Sequence, residues 1–184
     1  MNRAETTRFL SELLLRDRLY GQASKYYARE VSIDPWTNHG KRVDFMQFIT
    51  DSTMAVSGIE KGIFVCYEVK SCKEDIYSGN GLNFFGEKNY IVTTMDCYKS
   101  ILDDYRNGTL DAFIEEEHPE SSDSYGILIA VPNGRTMESE FNSPTPLGSK
   151  TDNGWKLSTM VRCRQGLRKR SMTELLFCML RSGK

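Results

Sequence analysis

The sequence predicts an α/β domain, a sheet covered by helices, and three observations carry that expectation. An opening segment spaces its apolar residues as a helix does, several later segments show the period-two or continuous apolar pattern of strands, and an apolar helix closes the chain. The 184 residues suit a single domain over 1–184, with no internal repeat and no boundary between units.

In chain order, residues 4–19 read as a helix. Phe9, Leu10, Leu13 and Leu14 follow the i, i+3, i+4 spacing, Thr6 or Thr7 offers a cap, and Gly21 lies just past the end. Residues 24–33, rich in Tyr and β-branched side chains, read as a strand. Residues 34–40, with Pro35, Asn38 and Gly40, read as a turn. Residues 41–49 alternate, which puts Val43, Phe45 and Gln47 on one face and Arg42, Asp44, Met46 and Phe48 on the other. Residues 51–58 read as a loop, and 63–69 are apolar enough for a strand buried on both faces. Residues 71–88, with three glycines and two asparagines, read as a flexible loop with at most one helical turn. A strand over 89–94, a helix over 98–105, an acidic excursion over 111–124 and a strand over 125–131 follow. Residues 140–154 read as a loop and 173–180 as the closing helix. Trp36 and Trp155 are expected in the core, and His118, inside an acidic run, at the surface.

Charge is distributed unevenly. From residue 150 onward nine Lys or Arg stand against Asp152 and Glu174, a net of +7, which leaves −8 on the first 149 residues. A basic segment over 150–184 on an acidic body points to a polyanionic partner, or else folds back on acidic neighbours. Five cysteines without a CxxC pair argue for free thiols and against a zinc site. No apolar run is long enough to span a bilayer, and the first residues lack the apolar stretch of a signal peptide. Together with the cysteines, this gives a cytoplasmic expectation with no membrane partner.

The chemistry sits around residues 62–70, Gly-Ile-Phe-Val-Cys-Tyr-Glu-Val-Lys. Side chains alternate along a strand, so Glu68 and Lys70 share a face, and Asp44 offers a second carboxylate on the preceding strand. If those strands are neighbours, the two carboxylates converge and can hold a hard cation. Mg²⁺ needs only one or two carboxylates because it keeps several waters. Such an ion can neutralise charge on a phosphate and generate a hydroxide nucleophile, while a fixed lysine orients the water or stabilises the developing charge. The plainer reading is an exposed Glu–Lys pair at a strand end.

Asp44 followed by Glu68-Val69-Lys70 on a hydrophobic strand resembles the PD-(D/E)xK nuclease superfamily, in particular its small phage and DNA-repair members. The similarity covers about half the chain. It includes Arg42-Val43-Asp44, the stretch after Lys70 and Asn89-Tyr90-Ile91-Val92. It implies a restriction-endonuclease-like fold, a central mixed sheet flanked by helices. It also implies a Mg²⁺- or Mn²⁺-dependent nuclease acting on DNA, with RNA and a homodimer left open. Catalytic residues would be Asp44, Glu68, Lys70 and a helix carboxylate, Glu12 ahead of Glu5 and Glu30. Metal contacts would be Asp44, Glu68 and Val69. The motif's usual proline is absent, since Val43 precedes Asp44. Expected nucleic-acid contacts are Ser71, Lys73, Asn83 and Lys88 in the loop, and Arg162, Arg164, Arg168, Lys169 and Arg170 in the basic segment. His39, just before the Asp44 strand, is a further residue within reach. The alternative is a nuclease-fold module without turnover that binds nucleic acid or a protein.

Overall fold

Six strands form one mixed sheet in which every strand lies beside its sequence neighbours, in the order β1-β2-β3-β4-β5-β6. The computed structural model describes residues 1–20, 26–38, 40–51, 55–148 and 154–182. Strands β1 (Tyr26–Ile33), β2 (Lys41–Ile49) and β3 (Ile63–Val69) make an antiparallel meander. β4 (Lys88–Thr93) runs parallel to β3, and β5 (Gly126–Pro132) parallel to β4. β6 (Trp155–Val161) closes the sheet antiparallel to β5. The β2 and β3 bounds coincide with the periodicity, because continuous burial makes an apolar strand visible from composition alone.

Helices cover both faces. On one face lies α1 (Arg3–Leu14), continued by a π-helical turn over Leu15–Leu19. It is opened by a capping box in which Asn2 and Glu5 exchange hydrogen bonds. Phe9, Leu10, Leu13 and Leu14 pack on Phe45, Val65, Tyr67 and Val69. The opposite face carries two clusters. Helices α4 (Met95–Asn107) and α5 (Thr109–Glu117) cover Ile91, Ile127 and Ile129. The closing helix α7 (Met172–Ser182) places Leu175, Cys178 and Met179 over Val31, Val43, Met46 and Phe64. Short helices α2 (Val56–Glu60), α3 (Lys73–Ile76) and α6 (Met137–Asn142) lie in connections. Among the described residues no helix is long and apolar enough to cross a membrane, and all five cysteines are free.

Four expectations are corrected. The segment read as an acidic excursion contains α5, whose Leu110 and Ile114 are buried while Glu115, Glu116 and Glu117 face solvent. The apolar stripe was hidden by the acidic run on its other side. β6 was not expected. Its alternation holds only for Trp155, Lys156 and Leu157 and then lapses beside a register irregularity in β5. Trp155 is buried as expected, but Trp36 is 95% exposed. The flexible loop after β3 does contain one helical turn, yet Leu82, Phe84 and Phe85 anchor it in the core.

Candidate functional site

The β2–β3 ladder runs from the Ile49–Ile63 pair to the Phe45–Tyr67 pair and ends there. β3 continues alone beside β4, where the Lys70 N–H donates to the Val92 carbonyl at 2.9 Å. The N–H of Val69 would otherwise lose its partner on the β2 side, and a buried N–H needs one. Asp44 supplies it: its Oδ2 accepts from the Val69 N–H at 2.8 Å. The carboxylate is thereby drawn toward the end of β3.

The neighbouring strand bends at the same point. Between the pairs Arg29–Phe45 and Val31–Val43, Glu30 takes a left-handed conformation, φ 52°. Such a conformation costs a non-glycine residue about 1–2 kcal/mol. Inward and outward faces exchange here, so Val43 packs with Met46 and Phe48 instead of with Phe45. Strict alternation misassigns Val43 for that reason.

Glu68 is completely buried, at 0% exposure, and Lys70 is 4% exposed. Both lie beneath residues 79–83, where Gly79, Gly81 and Leu82 all have positive φ. This turns the chain so that the Asn83 N–H donates to Glu68 Oε1 at 3.2 Å. The Asn83 side chain donates to the Arg42 carbonyl at 2.7 Å and ties the loop to β2. Lys70 Nζ donates to the Asn80 carbonyl at 2.5 Å. A Cβ at Gly81 would lie 2.5 Å from Lys70 Nζ and 2.7 Å from Glu68 Oε2, so only glycine allows this approach. Carboxylate and ammonium therefore both lie against one backbone position.

The electrostatics are those of excess negative charge in a dry place. Burial pushes the Glu68 carboxyl well above its ordinary range and the Asp44 charge pushes it further, against Lys70 and the Asn83 N–H. Asp44 is also raised, by burial first, against the Val69 N–H and Lys70. Glu68 Oε2 is buried and has no hydrogen-bond partner.

Asp44 and Lys70 open on a cavity of about 780 Å³, lined among others by Arg3, Lys41, Arg42, Val69, Asp75, Asn83 and His118, with Glu68 buried behind them. Arg3 pairs with Asp75 at 2.5 Å and Arg42 with Glu30 at 2.8 Å. His118, expected at the surface, is 3% exposed, and neither ring nitrogen has a partner. Burial first, then Lys41 and Lys70, push it down to about 4, so it is neutral at pH 7. Among the described residues, the buried side-chain atoms without a hydrogen bond are Glu68 Oε2, Asn83 Oδ1 and the two nitrogens of His118. Each such atom costs about 1–3 kcal/mol, and native proteins hold few of them. Here Asn83 and His118 line one cavity, and Glu68 is hydrogen-bonded to Asn83 behind it.

Of the residues singled out from sequence, Asp44, Val69, Lys70 and Asn83 line this cavity, and Glu68 lies buried beside them. Glu12 does not. It lines other hollows along α1, one with Arg8 and Phe9 and one shared with Arg29 and Glu30. Glu5 caps α1, whereas Glu30, the least favoured of the three, does line the Asp44 cavity. Ser71 donates from its N–H and hydroxyl to Asp75. Lys73 pairs with Asp104 at 2.7 Å, and Lys88 is half-buried at the start of β4. In the basic segment Arg168 pairs with Glu87 at 2.8 Å, and Arg170 bridges Asp34, Glu120 and Glu174. Arg162, Arg164 and Lys169 are exposed. His39 lies outside the described residues. Sequence reasoning missed Gly81, Asn80, Lys41 and His118 as parts of the site. The signal for His118 was its spacing of four from Ile114 and eight from Leu110, on the apolar stripe of α5.

Among the described residues no group of three His, Cys, Asp or Glu forms a metal cluster. No family model, curated protein or solved structure matches the chain.

Proposed function

We propose that this protein is a divalent-metal-dependent nuclease that hydrolyses DNA phosphodiesters on a restriction-endonuclease-like fold. One observation carries the reading: just past the end of the β2–β3 ladder the Asp44 charge raises the Glu68 carboxyl, with Lys70 beside them, and Glu68 Oε2 is buried without a partner. Two raised carboxyls and an orphaned carboxylate oxygen fit a small hard cation, which needs no third acidic ligand. Asp44 and Glu68 would hold Mg²⁺ or Mn²⁺, with Val69 at the same cavity wall. A bound ion would supply charge neutralisation on the phosphate and a more acidic water.

The chain's own residues do the rest. The Asn80 carbonyl fixes Lys70 Nζ, which brings a preorganised positive charge for the attacking water and for the charge that develops on the phosphate. The Asn83 side chain and the Gly81 turn hold the loop against Arg42 and Glu68. Water attacks directly, so no covalent intermediate with the protein forms.

The deep burial of Glu68 and Lys70 beneath residues 79–83 favours a second reading, a nuclease-fold module that binds without turnover. One experiment separates the two. Labelled single-stranded, duplex and branched DNA, with RNA alongside, are incubated with Mg²⁺ or Mn²⁺ and with EDTA. The nuclease reading expects metal-dependent cleavage that disappears in Asp44→Asn and Glu68→Gln. Intact substrates under every condition, or unchanged cleavage in both variants, would reject it.

A further inference from the structure

Hydrolysis at Asp44 and Glu68 leaves His118 and Lys41 without a role. His118 follows α5, and its backbone is pinned: its N–H donates to the Ile114 carbonyl at 2.9 Å and its carbonyl accepts from Ser121 at 2.8 Å. The ring stands edge-on to Phe113, 6.4 Å between centroids. It is a neutral imidazole, which always offers one N–H donor and one acceptor, and here neither is used.

The surrounding charge says what is missing. Arg3 and Arg42 are neutralised by Asp75 and Glu30, and Lys70 is engaged with the Asn80 carbonyl. Among the described residues Lys41 has no carboxylate partner, and it acts on the His118 ring together with Lys70. Directly beside the ring a cation would be repelled by two ammonium groups, and an apolar ligand would leave the imidazole N–H unsatisfied. An anion with several acceptor oxygens pairs with the Lys41 ammonium and takes the imidazole N–H, and phosphate is the one a nucleic-acid strand carries. We propose that His118 and Lys41 form a phosphate-binding subsite in the Asp44 cavity, separate from the phosphate being hydrolysed. The identity of the ligand as a strand phosphate rests on the nuclease reading. The cavity, about 780 Å³, has room for more than one nucleotide-sized group.

The test reads the His118 ring by NMR, in EDTA so that nothing is cut, during titrations with inorganic phosphate, thymidine 5′-monophosphate and a thymidine tetranucleotide. The His118 resonances should shift saturably with the mononucleotide and the tetranucleotide. His118→Gln and Lys41→Gln should each weaken binding about tenfold, the loss expected for one charge-assisted hydrogen bond. Inorganic phosphate binding as tightly as the tetranucleotide would support the subsite while removing the strand as its ligand. A His118 ring unmoved through saturation, or folded variants binding as wild type does, would overturn the subsite. If a variant fails to fold, the wild-type ring titration decides by itself. Binding through His118 without cleavage in metal would sink the nuclease reading alone. Cleavage with binding indifferent to His118→Gln would sink the subsite alone.

Discussion

Substitutions at Asp44 separate its two roles, because one residue carries both a hydrogen bond and a charge. Its Oδ2 accepts from the Val69 N–H at 2.8 Å, and its charge raises the neighbouring Glu68. Asp44→Asn keeps an acceptor for Val69 and removes the charge, whereas Asp44→Ala removes both. Burial raises the Asp44 carboxyl, so its ionised form is unfavourable in the folded state and neutralising it stabilises the metal-free protein. Asp44→Asn should therefore melt above wild type in EDTA. Asp44→Ala should be less stable than Asp44→Asn by about 1–3 kcal/mol, the cost of leaving the Val69 N–H unpaired. At about 2–4 °C per kcal/mol for a chain this long, that is a gap of roughly 2–12 °C. Mg²⁺ at a hundredfold excess over its dissociation constant should stabilise wild type by about 2.7 kcal/mol, or roughly 5–11 °C, and Asp44→Asn should lose most of that rise. Calorimetry at pH 7, with EDTA and then with saturating metal, reads both effects. The reasoning fails if Asp44→Asn melts below apo wild type, or if wild type ignores the metal.

Four further outcomes follow from the site and from the basic segment. Lys70→Ala should abolish cleavage of labelled DNA yet retain the metal-induced rise in melting temperature, because its charge acts on the transition state; wild-type turnover would remove it from the mechanism. Glu68→Gln should melt above apo wild type at pH 7, with the difference shrinking as pH falls toward 4.5. The sign follows from the raised Glu68 carboxyl: wild type is free of the ionisation penalty only below the unfolded value, and it loses stability as pH rises from there through the folded one; a difference that widens on acidification would contradict it. In the basic segment, neutralising Arg162, Arg164 and Lys169 should reduce the slope of log K against log salt for duplex DNA by about 0.9 for each phosphate that the protein no longer neutralises. Arg168→Gln should instead lower the melting temperature, because it leaves the buried Glu87 without its cation. Equal effects on the slope from both sets would mean that the ion pairs open to meet DNA.

Much of the sheet was legible because its signal is local. β2 and β3 stand at the bounds that alternation and continuous burial indicate, and α1 follows its apolar spacing. The pair Glu68 and Lys70 on one side of β3 is likewise a consequence of the period-two backbone, readable from three residues in a row. β6 and α5 were not legible, since each makes sense only against a partner: β6 against β5, and the Leu110–Ile114 stripe against the sheet that hides it.

By itself, the sequence determined that this chain builds an α/β sheet, that Glu68 and Lys70 share a face, and that Asp44 lies on the strand before them. Tertiary structure decided whether those groups meet and what surrounds them. The β2–β3 ladder stops at Phe45 and Tyr67, which turns Asp44 toward Val69. The Gly81 turn closes over Glu68, and Asn83, 15 residues further along the chain, hydrogen-bonds to it. His118, read locally as part of an acidic surface run, is carried into the cavity by the helix before it. Arg168 and Arg170, read as part of a basic tail, are neutralised by Glu87, Asp34 and Glu120, far away in sequence. The physical reason is the same in each case. Periodicity encodes which way a side chain points from its own backbone, whereas burial and charge depend on what the rest of the chain brings to meet it.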